Sequence, residues 1–343
     1  MTISAEKLNG RVVIVHINRR CPLRCRHCVV GFSEDFRGSD YRISPEELAD
    51  TIGEINASVY SVVLFTGGEP SLDPDLLRVG IIACKFQGLF SAVSTAPIWA
   101  ASSSAAEKFL DSVPGLDVLA LSYDQYHLEF LNIGHYETAA RAAHARRLRV
   151  VLNLCYTEET EKQELLDKIA GVRDILDGIR TTPTISMGNA AHPGNVKMKY
   201  YVVESVEDLA KIPRRCSLGH VLNYSDSVHG CCWASSVDKS PFSVSKQPHG
   251  MGAALASLEN DARFQAVRTH GFLNALNPRG QATLVQQFKG RAFNNECDIC
   301  LTAMKECHRE VWDEYVGTGG DRSSLPSDVP ILESKPTEQN QQI

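Results

Sequence analysis

The sequence predicts an α/β fold, a partial (β/α)6 barrel followed by a small cysteine-rich domain, and three observations carry that prediction. From Gly10 onward, short β-branched runs alternate with longer amphipathic stretches, the pattern of successive strand-helix units on a parallel sheet. The alternation completes six units and stops near residue 200. Nine of the eleven cysteines fall in two sets, one directly after the first strand (21, 25 and 28) and one beyond the stop (216, 231, 232, 297, 300 and 307). A chain of 343 residues has room for a barrel and a smaller appendage. The expected division is 1–200 for the barrel, 201–317 for the cysteine-rich domain and 318–343 for a disordered tail poor in apolar residues.

The first strand is expected over Val12 to Asn18 and the second over Val59 to Phe65, running into the turn Thr66-Gly-Gly-Glu-Pro70. Shorter strands follow near 90–94, 118–122, 150–154 and 181–186. Ser44-Pro-Glu-Glu47 opens a helix over 45–55, with an N-cap serine, a proline at the first helical position and a glutamate at the third. Further helices are expected at 74–86, 103–112, 136–147 and 161–175. Six such units with right-handed crossovers curl into a partial barrel, whose functional edge is where strands end and loops begin.

Composition narrows the function. A hydrophobic fraction of 43% with 22% charged residues is ordinary for a globular protein. No apolar run approaches the roughly 18 residues of a membrane helix, and the opening residues lack a signal-peptide layout, so the expectation is a cytoplasmic protein without membrane contact. A net charge of −6 argues against a nucleic-acid partner. Thiols in a reducing compartment point to metal or redox use in place of disulfides.

Cys21-Pro-Leu-Arg-Cys25-Arg-His-Cys28 places three thiols on one short loop at the functional edge. Three thiolates can hold three corners of an iron-sulfur cube or three positions on zinc, and zinc would want a fourth ligand, for which His27 or Cys84 could be offered. A cube held by only three thiolates leaves one iron open to a ligand. CxxxCxxC after the first strand, with Gly67-Gly68-Glu69-Pro70 after the second, resembles the radical S-adenosylmethionine (SAM) superfamily, a family of TIM-like partial barrels.

That resemblance implies a [4Fe-4S] cluster on Cys21, Cys25 and Cys28, with SAM bound to its open iron and cleaved by one electron to methionine and a 5′-deoxyadenosyl radical. It implies that Gly67, Gly68 and Glu69 hold the SAM amino group, and two glycines with an adjacent acceptor suit an ammonium. His27 stands where relatives often carry an aromatic near the adenine. Ser94-Thr95-Ala96-Pro97 departs from the family's Ser-Thr-Asn-Gly. Ser122-Tyr123-Asp124 matches its Ser-x-Asp, implying SAM contact for Ser122 and substrate contact for Asp124. Asn153 and Gly188-Asn-Ala190 resemble ribose and adenine contacts.

In the second set, two pairs of thiols from distant segments make a site with four thiolate ligands, for which a zinc ribbon uses the same residue types. The set is similar to the Twitch or SPASM extension of radical SAM enzymes. That similarity implies one auxiliary [4Fe-4S] cluster on Cys216, Cys232, Cys297 and Cys300, with Cys231 interchangeable with Cys232. Cys231 and Cys307 are then candidates for a hydrogen-atom donor, a ligand or plain structural residues. His127 and Glu129, after the fourth strand, could orient substrate hydroxyls.

The expected activity is radical oxidation or epimerisation of a small hydroxylated metabolite such as a sugar or aminocyclitol, with an external one-electron reductant such as flavodoxin or ferredoxin. Peptide modification is the alternative. Because Cys21 comes only twenty residues in, no leader-binding domain is expected before it, which tilts toward a small molecule. A non-catalytic zinc protein is the rival of a different class.

Overall fold

A computed structural model describes residues 11–29, 41–192, 194–213, 220–224, 226–231 and 242–306. Cys216, Cys232, Cys307 and the expected tail at 318–343 lie outside the described residues. Six parallel strands lie side by side in chain order: β1 (Arg11–Asn18), β2 (Tyr60–Gly67), β3 (Phe90–Thr95), β4 (Val118–Tyr123), β5 (Arg149–Tyr156) and β6 (Gly178–Pro183). Helices α1 (Pro45–Gly53), α2 (Pro74–Gln87), α3 (Ser103–Ser112), α4 (Ile133–Ala145) and α5 (Glu159–Lys168) fill the crossovers. The chain is therefore an α/β protein with the parallel sheet of a partial barrel, as the alternation predicts.

Local chemistry sets the helix starts. The Ser44 hydroxyl accepts from the Glu47 amide at 3.0 Å, which satisfies one of the unpaired donors that every helix start carries. Three elements differ from expectation, the first being α4, which starts at Ile133 in place of residue 136. β6 begins and ends three residues earlier than 181–186, and the helix expected to reach 175 ends at Lys168, giving way to a 3-10 turn over Ala170–Ile175.

The two faces of the sheet carry different residues, as the period of two requires. Val13, Val15 and Ile17 of β1 are fully buried in the main core under the helices. On the opposite, inner face a second apolar cluster of Val62, Ala92 and Val118, flanked by Val12, Leu64, Phe90 and Val151, closes the barrel interior toward the starts of the strands. Toward the strand ends the same face turns polar. Register places Ser122 beside Asn153 and Asn153 beside Arg180, and His16 beside Thr66.

The sheet continues past the expected six strands. After β7 (Tyr201–Val203) and the short α6 (Val206–Leu209), β8 (His220–Tyr224) pairs parallel with the free side of β1. β9 (Ser227–His229) and β10 (Ser243–Ser245) add to it antiparallel. The break near residue 200 is thus a break in alternation, while the sheet itself takes strands from both sides of it. Beyond β10 the chain is more helical than expected, with α7 (Gly250–Asn260), α8 (Ala262–His270), α9 (Phe272–Ala275), α10 (Pro278–Phe288) and α11 (Glu296–Glu306). β11 (Arg291–Phe293) pairs with β7 in a separate two-stranded sheet. Among the described residues no helix is long and apolar enough to cross a membrane.

One polar staple fastens α7 and α8 to the start of the sheet. The Glu259 carboxylate accepts from Tyr60 Oη at 2.9 Å and from both Arg268 Nη1 contacts at 2.9 Å, and it pairs with Arg11. Charge-assisted bonds of this kind contribute more than neutral ones, and losing the shared acceptor strands several donors. Glu259→Gln is expected to lower the unfolding free energy by about 2 kcal/mol. Urea unfolding of the full chain checks this, and an unchanged midpoint would show that the staple does not stabilise the fold.

Candidate functional site

The loop from Arg19 to Cys28 leaves the end of β1 and is gripped from three sides. The turn after β2 grips it first. The Gly68 amide donates to the Asn18 carbonyl at 2.9 Å and the Glu69 amide to the Arg20 carbonyl at 2.6 Å. A Cβ on Gly67, whose φ is +152°, would lie 2.3 Å from the Asn18 oxygen, and one on Gly68 2.1 Å from the Arg20 oxygen. The two glycines are therefore required by the approach of one main chain to another.

The loop after β6 supplies the second grip. Asn189 donates its amide to the Cys28 carbonyl at 2.9 Å and its side-chain Nδ2 to the Cys25 carbonyl at 3.1 Å. Gly188, with φ +53°, approaches so closely that a Cβ would lie 2.5 Å from the Cys28 and Val29 carbonyl oxygens.

The segment after β4 supplies the third. Asp124 is 1% exposed and lies between two histidine rings, Oδ2 at 3.0 Å from His27 Nε2 and 2.7 Å from His127 Nδ1. Its Oδ1 accepts from the amides of Tyr126 at 3.0 Å and His127 at 2.9 Å. The His27 ring stacks on Tyr126 with centroids 4.6 Å apart, and Arg26 pairs with Glu129. Asp124 and His127, expected to meet substrate, are turned instead into the underside of the cysteine loop, because the strand end that carries them is covered by that loop. Burial opposes charge on Asp124, but the two rings hold its pKa well below the usual carboxylate range. Burial likewise opposes charge on His127, and the Asp124 charge and hydrogen bond outweigh it, holding the imidazole well above its ordinary value. Glu129, expected to orient hydroxyls, is committed to Arg26.

Glu69 has a similar fate. It is 2% exposed, and its carboxylate accepts from Thr95 Oγ1 at 2.5 Å, the Ala96 amide at 2.9 Å and the Ser71 amide at 3.0 Å. Burial raises its pKa against the lowering effect of those bonds. The side chain thus locks the turn to the end of β3, and the main-chain carbonyls of the turn are left as acceptors for an ammonium. Asp73, just beyond the turn, draws in Asn18 Nδ2 at 2.7 Å, Arg42 Nε at 2.8 Å and Arg20 Nη2 at 3.1 Å. Burial works against its charge, and these donors hold its pKa below the usual range.

The three thiols lie on the gripped loop, near enough for Cys25 and Cys28 to act electrostatically on Cys21. Cys25 is buried and Cys21 and Cys28 are half-buried. Burial, then the nearness of Glu69, Cys25 and Cys28, pushes the Cys21 thiol up to about 12 against a backbone hydrogen bond at Leu23. Such crowding of sulfur suits a cationic centre that draws the thiols into thiolates. His27 Nδ1, in the same loop, is buried with no hydrogen-bond partner among the described residues, so a polar atom waits there for a ligand. The donor set fits a three-thiolate iron-sulfur cluster. It fits zinc less well, since both offered fourth ligands are placed elsewhere. His27 Nε2 is taken by Asp124, and Cys84 lies in the helix-side core with its thiol pushed up to about 12 by burial.

Ser122 and Asn153 sit side by side on the inner face, both half-buried, with Ser122 Oγ 3.4 Å from Ser94 Oγ. Arg180 extends that row and is exposed. Its place was legible from the period of β5 and β6, though the strand's three-residue offset concealed it. Of the second cysteine set, Cys231 is half-buried after β9, and Cys297 and Cys300 lie in the first turns of α11. That helix start is tied to the end of β6, with Asn294 Nδ2 donating to the Thr184 carbonyl at 3.0 Å and Asn295 Nδ2 to the same oxygen at 3.4 Å.

The radical SAM superfamily model matches residues 15–170, a span that takes in the cysteine loop, the GGE turn and Asp124. Residues 15–170 are a radical SAM domain. The chain is 27% identical over 217 residues to GTP 3′,8-cyclase of Limosilactobacillus fermentum, covering 60% of this chain and 63% of that protein. It is 29% identical over 159 residues to pre-heme d1 synthase of Dinoroseobacter shibae, covering 44% and 38%. The matches thus span less than two thirds of either relative. The solved structure of Streptococcus suis SuiB bound to S-adenosylmethionine shares the fold at 11% identity, with a TM-score of 0.52 over 85% of this chain and 75% of that chain.

Gly68→Ala is expected to cost about 2 kcal/mol or more, because a backbone oxygen on an anchored loop cannot yield cheaply. Iron binding after anaerobic reconstitution should fall with it. Gly53→Ala, with nothing nearer than 3.7 Å to its Cβ, is the neutral comparison. Equal iron content and unfolding midpoints in the two variants would contradict the close approach.

Proposed function

We propose that this radical SAM enzyme abstracts a C–H hydrogen from a small hydroxylated metabolite, oxidising or epimerising it. The observation that carries the reading is the gripped loop of three thiols beside the double-glycine turn, within a radical SAM domain. A [4Fe-4S] cluster bound there supplies one electron to SAM and so the 5′-deoxyadenosyl radical that takes the hydrogen.

The chain's own residues account for the rest. Cys21, Cys25 and Cys28 would hold the cluster, and the burial of Cys25 keeps bulk water from that sulfur. Main-chain carbonyls of the Gly67 to Glu69 turn would accept from the SAM ammonium, while the Glu69 carboxylate keeps the turn in place. Ser122 and Asn153 suit the ribose hydroxyls. Beyond them Arg180 offers a cation to an anionic or hydroxylated substrate, a chemistry compatible with the relative named GTP 3′,8-cyclase and with a sugar or aminocyclitol. Cys297 and Cys300, with Cys216 and either Cys232 or Cys231, would hold an auxiliary [4Fe-4S] cluster, which would supply an acceptor for one electron from a substrate radical. An external one-electron donor such as flavodoxin or ferredoxin would provide the reducing electron.

Anaerobically reconstituted protein should hold about eight irons per chain, the sum of two four-iron cubes. Cys25→Ala should lose about half of them and all 5′-deoxyadenosine formation. Cys300→Ala should lose the other half and retain SAM cleavage. Zinc in place of iron in the wild type, or full cleavage in Cys25→Ala, would sink the assignment. Iron unchanged in Cys300→Ala would remove the auxiliary cluster alone.

A further inference from the structure

The cysteine loop has two sides, and the thiols use only one of them. From Arg20 to His27 exposure alternates residue by residue. Arg20, Pro22, Arg24 and Arg26 are exposed, while Cys21 is half-buried and Leu23, Cys25 and His27 are buried. As in a strand, this alternation sends successive side chains to opposite sides of the main chain. The inner side therefore carries thiols and the outer side arginines, with a single layer of backbone between them.

The outer side is positive against the trend of the chain. Residues 19–29 hold four arginines and no acidic residue, in a chain whose net charge is −6. Neighbouring carboxylates neutralise only part of this. Arg20 and Arg42 share the one largely buried charge of Asp73, and Arg26 pairs with Glu129. The exposed Arg24 side chain makes no ion pair or hydrogen bond among the described residues. The partners of Arg20 and Arg26 mark the two ends of the strip, and each has an exposed apolar neighbour. Leu72, beside Asp73, is 39% exposed, and Phe130, beside Glu129, is 44% exposed. A charged strip with little apolar area is the make-up of the small, transient interfaces at which electron carriers meet their partners.

We propose that this outer side is the docking surface for an acidic one-electron carrier protein, and that Arg24 steers the carrier onto it. The inference rests on reading Cys21, Cys25 and Cys28 as cluster ligands. SAM and substrate need the barrel interior, which a protein carrier cannot enter, whereas the outer side brings the carrier within one backbone layer of the thiols. With a flavin carrier, the hydroquinone anion loses one electron and becomes the neutral semiquinone, the cluster gains that electron, and no covalent bond forms or breaks. Complementary charge acts mainly on the rate of encounter. The negative charge of the whole chain repels an acidic partner, so the arginine strip also selects the orientation in which it arrives. A long polyanion such as nucleic acid would meet that repulsion beyond the strip.

The test uses a purified flavodoxin and the reconstituted full chain. Binding of oxidised flavodoxin is followed by surface plasmon resonance, and cluster reduction by photoreduced flavodoxin is followed as loss of visible absorbance without oxygen. Arg24→Glu should slow both association and reduction about tenfold at low ionic strength. The difference should close at about 1 M salt, where screening reaches in to about 3 Å. Arg24→Lys should stay near the wild type. Arg173→Glu makes the same change in net charge on an exposed residue before β6, at the opposite edge of the sheet, and should leave both rates within about twofold. Photoexcited 5-deazariboflavin, a small uncharged donor, should reduce every variant equally. Absence of flavodoxin binding in the wild type, equal rates in wild type and Arg24→Glu, or equal slowing in Arg24→Glu and Arg173→Glu would overturn the proposal. So would a short oligonucleotide that binds in preference to flavodoxin and is lost in Arg24→Glu. Absence of iron from the reconstituted wild type, beside salt-dependent flavodoxin binding, would instead count against the ligand reading itself.

Discussion

The site depends on one constraint, the approach of two turns to a short loop at distances that only glycine permits. Gly67 and Gly68 press on Asn18 and Arg20, and Gly188 presses on Cys28 and Val29, each with a gap that a single methyl group would close. The hydrogen bonds that follow, from Gly68, Glu69 and Asn189 to loop carbonyls, use up acceptors that would otherwise need water. A loop so pinned pays its ordering entropy on folding, before any metal arrives, which is how a set of three thiols can be preorganised on an otherwise irregular segment.

Side chains complete the grip by turning inward. Glu69, Asp73 and Asp124 are acidic residues at the functional edge, and each is spent on architecture: Glu69 on β3, Asp73 on Asn18, Arg20 and Arg42, Asp124 on two histidines. A buried carboxylate is costly unless its acceptor sites are filled, and here each has several donors. Among the described residues, the polar groups on the inner face toward the strand ends include His16, Thr66, Ser94, Ser122, Asn153 and Arg180.

Much of this was legible in the sequence, for identifiable reasons. The parallel sheet followed from β-branched runs alternating with amphipathic ones, and α1 from Ser44-Pro-Glu-Glu47, because periodicity and capping are local properties. The thiol triplet was legible because its spacing is itself the chemistry. β8 was not, since five residues carry no alternation long enough to read, and its partner β1 lies some two hundred residues earlier. Helix α7 was in principle readable from Met251, Ala254, Leu255 and Leu258, a buried stripe at helical spacing that the nearby cysteines overshadowed. The inward turn of Asp124 could not be foreseen, because Ser-x-Asp at a strand end gives the face of the side chain but not what covers that face.

The loop after β6 joins the two thiol sets in a way neither set reveals alone. Thr184, at its beginning, accepts from Asn294 and Asn295 at the start of α11, the helix that carries Cys297 and Cys300. Asn189, five residues later, bonds the carbonyls of Cys25 and Cys28. Both attachments end on main-chain oxygens, and three of their four donors are asparagine side-chain amides. The helix start also favours negative charge on residues in its first turn, which lowers the cost of a thiolate at Cys297. A displacement of α11 would therefore act on residues 184–189, the same segment that holds the first cysteine loop.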